Sequence, residues 1–159
     1  MPEPLSLRRR TARDLDAVLT WIPDDAALYM FTGPRLSWPP TNAQFAELAA
    51  VPGLTAWVMC AGRTPLGQAE MTVWNSHAHI ARVIVDPSFR GQGLSQELMR
   101  RVLARAHADG ARSAGLRVIK GNTVALRAYQ RLGFTVDPRG ETAQAWMLEL
   151  DLGEPAADG

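Results

Sequence analysis

The chain has one cysteine, Cys60, and one lysine, Lys120. A single thiol excludes an intrachain disulfide and fits a reducing compartment. Cys60 sits in the apolar run TAWVMCAG, where a buried structural thiol is expected rather than a nucleophile. Excess charge of either sign is also missing: seventeen Lys and Arg against sixteen Asp and Glu leave a formal charge of +1. Nothing in that balance calls for nucleic acid or an anionic membrane as a partner. The opening MPEPLSLRRRTARD lacks the 7–15-residue apolar core of a secretory leader. The longest uncharged stretch, residues 48–62, contains Pro52 and Gly53 and is too short to cross about 30 Å of hydrocarbon. The expected location is cytoplasmic.

What is present is 159 residues with 47% apolar content, enough for one domain with a sizeable core. LSLRRR reads as a first strand. TARDLDAVLTWI follows as a helix, with Leu15, Val18, Leu19 and Ile22 at helical spacing and Thr11 as N-cap. The segment PDDAALYMFTGPRLSWPP is broken by Pro and Gly and reads as loop or irregular helix. Thr41 or Asn42 caps a second helix through Leu48. TAWVMCAG and TPLGQAEMTVWN are two strands joined at Gly62, and HIARVIVDP is a third, stopped by Pro87. A long amphipathic helix then carries Leu94, Leu98, Val102 and Ala106 on one stripe. AGLRVI is a strand, NTVALRAYQRLGF a helix capped by Asn122, and AQAWMLELDL a last strand. This order predicts an α/β domain over residues 1–152 with a mixed sheet, followed by a small, polar tail at 153–159 expected to be disordered. His77 and His79 have no third ligand suggested nearby, so no metal site is expected.

The stretch VIVDPSFRGQGLSQ places two glycines between a strand and a helix. It is not a Walker A loop, because no Lys-Ser/Thr pair follows the second glycine. It is not a dinucleotide fingerprint either, because Gln96 stands where the third glycine belongs. A plain turn remains open. The alternative is an anion site, since the unpaired N–H groups of a helix's first turn, the positive dipole end and nearby Arg90 all favour negative charge.

The run RGQGLS, an amphipathic helix, a strand and then NTVALRAYQRLGF together resemble the acetyl-CoA site of the GNAT superfamily of N-acetyltransferases. Arg90 and Gly93 fit its loop pattern, with Ser95 in the last small-residue place. Asn122, Ala125, Tyr129, Gly133 and Phe134 reproduce its second signature. The two motifs cover residues 80–134. The resemblance implies a GNAT-like fold, a mixed sheet of about six to seven strands flanked by about four helices. It implies acetyl-CoA as co-substrate, with the pantetheine arm paired along Val83, Ile84 and Val85 as an added strand. The diphosphate would lie on Arg90, Gly91, Gln92, Gly93, Leu94, Ser95 and Gln96, and Asn122 could bond the cofactor arm as well as cap its helix. The implied reaction is direct attack of a primary amine on the thioester in a ternary complex, with Tyr129 protonating the departing sulfur.

The base is less defined. Where relatives carry glutamate on the fifth strand this chain has Arg117, and where others carry it on the fourth strand it has His79. His79 is therefore one candidate base and Glu70, on the preceding strand, is the other. His79 and Val83 share strand parity unless a bulge intervenes. Residues 21–45, with Trp21, Tyr29, Phe31, Trp38, Asp24 and Asp25, are expected to select the acceptor, aromatics with carboxylates suiting a cationic amine. The acceptor is a small-molecule or peptide amine, and a homodimer is an arrangement the family allows. The rival reading is a non-catalytic acyl-CoA-binding regulatory or structural module on the same fold.

Overall fold

The computed structural model describes residues 3–154. Strand β1 (Leu5–Arg9) leads into helix α1 (Ala12–Thr20). Thr11 caps α1 by accepting from the Asp14 amide, while the Asp14 carboxylate accepts from the Thr11 amide, a reciprocal capping box. Asp14 also binds Arg8 through two bonds of 2.6 and 2.9 Å. The hydrogen bonds from Arg8, with those from Thr11, hold its carboxyl at about 2 despite burial. The β1–α1 corner is thus fixed by one side chain.

Residues 25–32, expected as loop or irregular helix, form a regular helix α2 (Asp25–Thr32). Pro23 and the Gly33-Pro34 pair bracket it so closely that their breaking signal masks its short apolar face. Asp24 is its N-cap, accepting from the Ala27 amide at 2.8 Å. A single 3-10 turn (Gly33–Arg35) precedes helix α3 (Asn42–Ala49), capped by Thr41 as expected.

Strands β2 (Leu54–Ala61), β3 (Thr64–Trp74) and β4 (His77–Val85) form an antiparallel meander. Helix α4 (Leu94–Ala108) then crosses to β5 (Ser113–Ile119), which lies parallel to β4. Helix α5 (Thr123–Arg131) follows, then the two-residue strand β6 (Thr135–Val136) and β7 (Ala145–Asp151). The seven-stranded sheet runs β1-β2-β3-β4-β5-β7-β6. Seven strands fall within the expected six to seven; β6 itself has no sequence signal, because two residues carry no periodicity, and α2 makes the helices five rather than four. Of the expected tail, residues 155–159 lie outside the described residues. Glu154 is tied down, pairing with Arg112 at 3.0 Å and bonding His107 through its carbonyl at 2.7 Å.

Two cores sandwich the sheet. Leu98, Met99, Val102 and Ala106 of α4, with Tyr129 and Phe134, pack on Met71, Ala78, Ile80, Leu116 and Leu148. On the other face Leu15, Val18, Trp21, Ile22, Leu28 and Phe45 pack with Ile84. Each fully buried aliphatic or aromatic side chain here contributes about 1.5–3 kcal/mol. Cys60 is fully buried, and burial pushes its thiol above the ordinary range, as expected of a structural cysteine.

Candidate active site

The β4–β5 ladder stops early. The paired residues run from His77 and Ser113 to Ile80 and Leu116, and beyond that point the strands separate. The reason lies in β4. Its register against β3 shifts between Gln68, opposite Ile84, and Glu70, opposite Ala81, so two residues of β4 oppose one of β3. Arg82 occupies the bulge with φ 51, a conformation uncommon outside glycine. The bulge reverses strand parity: Ile84 enters the α1–α3 core, whereas Val83 and Val85 lean toward α4. His79 and Val83 therefore face opposite sides of the sheet, not the same one.

A buried ionic cluster underlies this bulge. Glu70 is 1% exposed, and its Oε2 takes Arg82 Nε at 2.8 Å and Arg10 Nη1 at 3.4 Å. Arg10 also donates to Gln68 Oε1 at 2.6 Å, and the Gln68 amide donates to the Arg82 carbonyl. Both the side chain and the backbone of Arg82 are thereby fastened to β3. Glu70 does not line the cleft, and with both neighbouring guanidiniums on its Oε2 it serves as the counter-ion of the bulge.

The separated strands open a cleft of about 650 Å³, lined among others by Val83, Val85, Arg90, Gly91, Gly93, Leu94, Ser95, Gln96, Asn122 and Tyr129. Most of the expected cofactor residues are thus brought together. The side chain of Ile84 turns to the opposite core, and Gln92 is not among the lining residues. At the open end, Gly91 and Gly93 have φ of 80 and 74, and a Cβ added to either would meet nothing within 4 Å. They are glycine for the backbone angle, with the space before them open. Gly93 is the N-cap of the fifteen-residue α4, and no side chain caps that helix. Its first-turn N–H groups are available to an anion, and Arg90 lies over the ring of Phe31 at 5.4 Å beside them. Phe31 was a candidate for acceptor selection; the structure puts it at this loop. Asn122 caps α5 through the Ala125 amide at 3.3 Å and also lines the cleft.

At the inner wall stands Tyr129. Its ring packs edge-on against Phe134 with centroids 6.1 Å apart, and burial pushes its phenol up to about 12. Among the described residues its hydroxyl has no hydrogen-bond partner, and Tyr129 lines the cleft as a neutral phenol.

On the sheet face away from α4, His79 stands in register with Gly115. A Cβ on Gly115 would meet Glu149 Oε1 at 2.8 Å and His77 Nε2 at 3.0 Å, the far ends of two side chains that share the space over it. His77 bonds Ser113 Oγ at 2.8 Å through Nδ1. Burial, and then the positive charges of Arg117, His77, Arg82 and Arg35, lower the pKa of His79 below its ordinary 6.5. His79 does not line the cleft itself. Among the described residues no group of three His, Cys, Asp or Glu is placed to hold a metal ion, and no helix is long and apolar enough to cross a membrane.

The expected acceptor segment is only partly at the site. Trp21 is a core residue and Asp24 is spent as a helix cap, while Met30 and Phe31 of α2 line the cleft. Arg82, Arg117 and Arg131 also line it. No spacing rule in the sequence points to these three together.

Comparison with known proteins agrees with this geometry. A 49-residue segment is 49% identical to mycothiol acetyltransferase of Corynebacterium glutamicum, covering 31% of this chain and 17% of that protein. A 63-residue segment is 36% identical to streptothricin acetyltransferase of Streptomyces lavendulae, covering 40% of this chain and 33% of that protein. The chain therefore spans a third or less of the length of either relative. In three dimensions it resembles spermidine N-acetyltransferase of Vibrio cholerae in complex with CoA and spermine, with a TM-score of 0.75 at 16% identity over 93% of this chain and 95% of that one. The model of the acetyltransferase (GNAT) family matches residues 19–134, most of the chain, and the protein belongs to that family.

Proposed function

We propose that this protein transfers the acetyl group of acetyl-CoA to a primary amine by direct attack in a ternary complex. The observation that carries the reading is a single cleft with an uncapped helix N-terminus at one end and an unpartnered phenol on its wall. The residues present suit the co-substrate. Residues 90–96 offer backbone donors and one guanidinium to a diphosphate, and β4 beyond Ile80 has no strand partner on its β5 side, leaving an edge for an extended amide arm. Acetyl-CoA supplies an activated acetyl thioester.

The chain's own residues supply the rest. The separated strands hold the two reactants at one point, which removes the entropy cost of bringing them together. Tyr129 donates its O–H toward the leaving sulfur. His79, kept neutral by burial and neighbouring cations, accepts a proton from the incoming ammonium through water, since it stands outside the cleft lining. A non-catalytic acyl-CoA-binding module would need the loop but not the phenol, and the free hydroxyl of Tyr129 favours turnover. Thiol release over a panel of amines, beside calorimetric binding of acetyl-CoA, tests the reading. Binding without turnover of any amine would leave only the binding module.

Two further results are expected. At a hundredfold excess over its dissociation constant, acetyl-CoA should stabilise the fold by about 2.7 kcal/mol, seen as a raised Tm. Gly93→Val forces a β-branched residue to φ 74 at the diphosphate loop, so it should abolish that rise. A normal rise in the variant would move the diphosphate elsewhere. For the base, kcat/KM should fall on acidification with an apparent pKa below 6.5, since His79 protonates only below its ordinary value. His79→Asn should remove that acidic limb. The same profile in both proteins would exclude His79.

A further inference from the structure

Charge in the cleft is one-sided. Four arginines line it, Arg82, Arg90, Arg117 and Arg131, and no Asp or Glu does. Arg90 belongs to the glycine loop and Arg131 to the last turn of α5. Arg82 and Arg117 stand at the other end, just past the Ile80–Leu116 pair where the strands part. From Val85, next to the loop, back to Ile80 is five residues with one taken up by the bulge, or about 13 Å for four rises of about 3.3 Å. A guanidinium at the closed end is therefore remote from a diphosphate on residues 91–96.

The two differ in how they are neutralised. Arg82 is committed to Glu70 at 2.8 Å. Arg117 is exposed, its Nη1 donates to the Gly140 carbonyl at 3.0 Å, and among the described residues it has no carboxylate partner. Arg35, on the 3-10 turn after α2, is exposed too. Both cations act on His79, beside the end of the cleft where β4 and β5 part, which marks a shared positive field there. A polyamine would bring further positive charge into that field, at a Coulombic cost. A carboxylate would meet a planar fork of donors matched to it.

We infer that the acceptor is an amine that also carries a carboxylate, as a free amino acid does, and that Arg117 holds that carboxylate at the closed end of the cleft. This rests on the acetyl-transfer reading for the reaction itself. The acceptor nitrogen forms a bond to the acetyl carbon as the carbon–sulfur bond breaks. Of the two protons the ammonium loses, one is balanced on the CoA thiol and one passes to solvent.

The test uses products, so that binding is read apart from catalysis. N-acetyl-L-amino acids with aliphatic, aromatic and polar side chains, and their matching carboxamides, are titrated calorimetrically into the protein saturated with CoA. The best acid should bind about 10- to 100-fold tighter than its carboxamide, the worth of one charge-assisted pair. Arg117→Gln should bring the ratio within about twofold, and Arg117→Lys should retain part of it. Equal binding of acids and carboxamides, no binding by any acid of the panel, or an acid preference that survives Arg117→Gln overturns the inference. Thiol release with the corresponding free amino acids separates the two readings. An intact acid preference without turnover rejects acetyl transfer and keeps the carboxylate site. Turnover of polyamines or amino acid amides with no preference for acids does the reverse.

Discussion

Tyr129→Phe is expected to lower kcat by about 10²–10⁴, the usual loss on removing a general acid, while leaving acetyl-CoA affinity near its wild-type value. The substitution removes one hydroxyl that has no protein partner, and the ring keeps its edge-on contact with Phe134. A packing role would therefore be untouched. With the phenol held up at about 12, Tyr129 is a weaker acid than an ordinary thiol near 8.5. It does not release its proton ahead of bond cleavage; its hydrogen bond strengthens as charge gathers on sulfur, where it lowers the barrier. The sign of the shift gives a second expectation. A raised folded-state value keeps the donor protonated well past pH 10, so no basic limb due to Tyr129 should appear in kcat below about pH 11. Near-normal turnover in the variant would reduce Tyr129 to a core residue and assign the proton to solvent.

The second large effect is on stability. Glu70→Ala should cost about 3–5 kcal/mol, because it strands two buried guanidiniums, Arg10 and Arg82, whose side chains are only 4% and 8% exposed. Chemical denaturation with an unchanged m-value measures it. A loss below about 1 kcal/mol would mean that water or another group already satisfies the two cations. Release of Arg82 also frees the bulge that turns β4 away from β5, so KM for acetyl-CoA should rise in whatever fraction stays folded. The pH profile of that fraction should match wild type. Were Glu70 the base, its removal would instead erase the acidic limb with little change in KM.

The order of strands and helices was legible in the sequence because local physics sets it. Thr11, Thr41 and Asn122 can satisfy first-turn amides whatever lies around them, and all three do. The glycine loop was legible for the same reason: positive φ at Gly91 and Gly93 is a property of the chain at that point. So was the apolar stripe of α4, whose period is that of the helix itself. Helix α2 was obscured because proline and glycine signals at both ends outweigh eight residues of weak amphipathy.

Other features were decided only by the packed sheet. Whether Glu70 is a base or a counter-ion depends on Arg10, sixty positions earlier, and on Arg82 across the β3–β4 ladder. Which face His79 shares depends on a one-residue bulge, because a pleated strand reverses every later side chain when its register shifts by one. The acidic pair Asp24 and Asp25 reads in sequence as a lure for a cationic amine, yet Asp24 satisfies a helix terminus while Arg117 and Arg82 line the cleft. The sequence by itself determined the caps, the periodic faces and the glycine loop, since each is set by near neighbours in the chain. Tertiary structure alone decided the sign of charge lining the cleft and the partners of the buried acids, since those are sums over residues that only the folded sheet brings together.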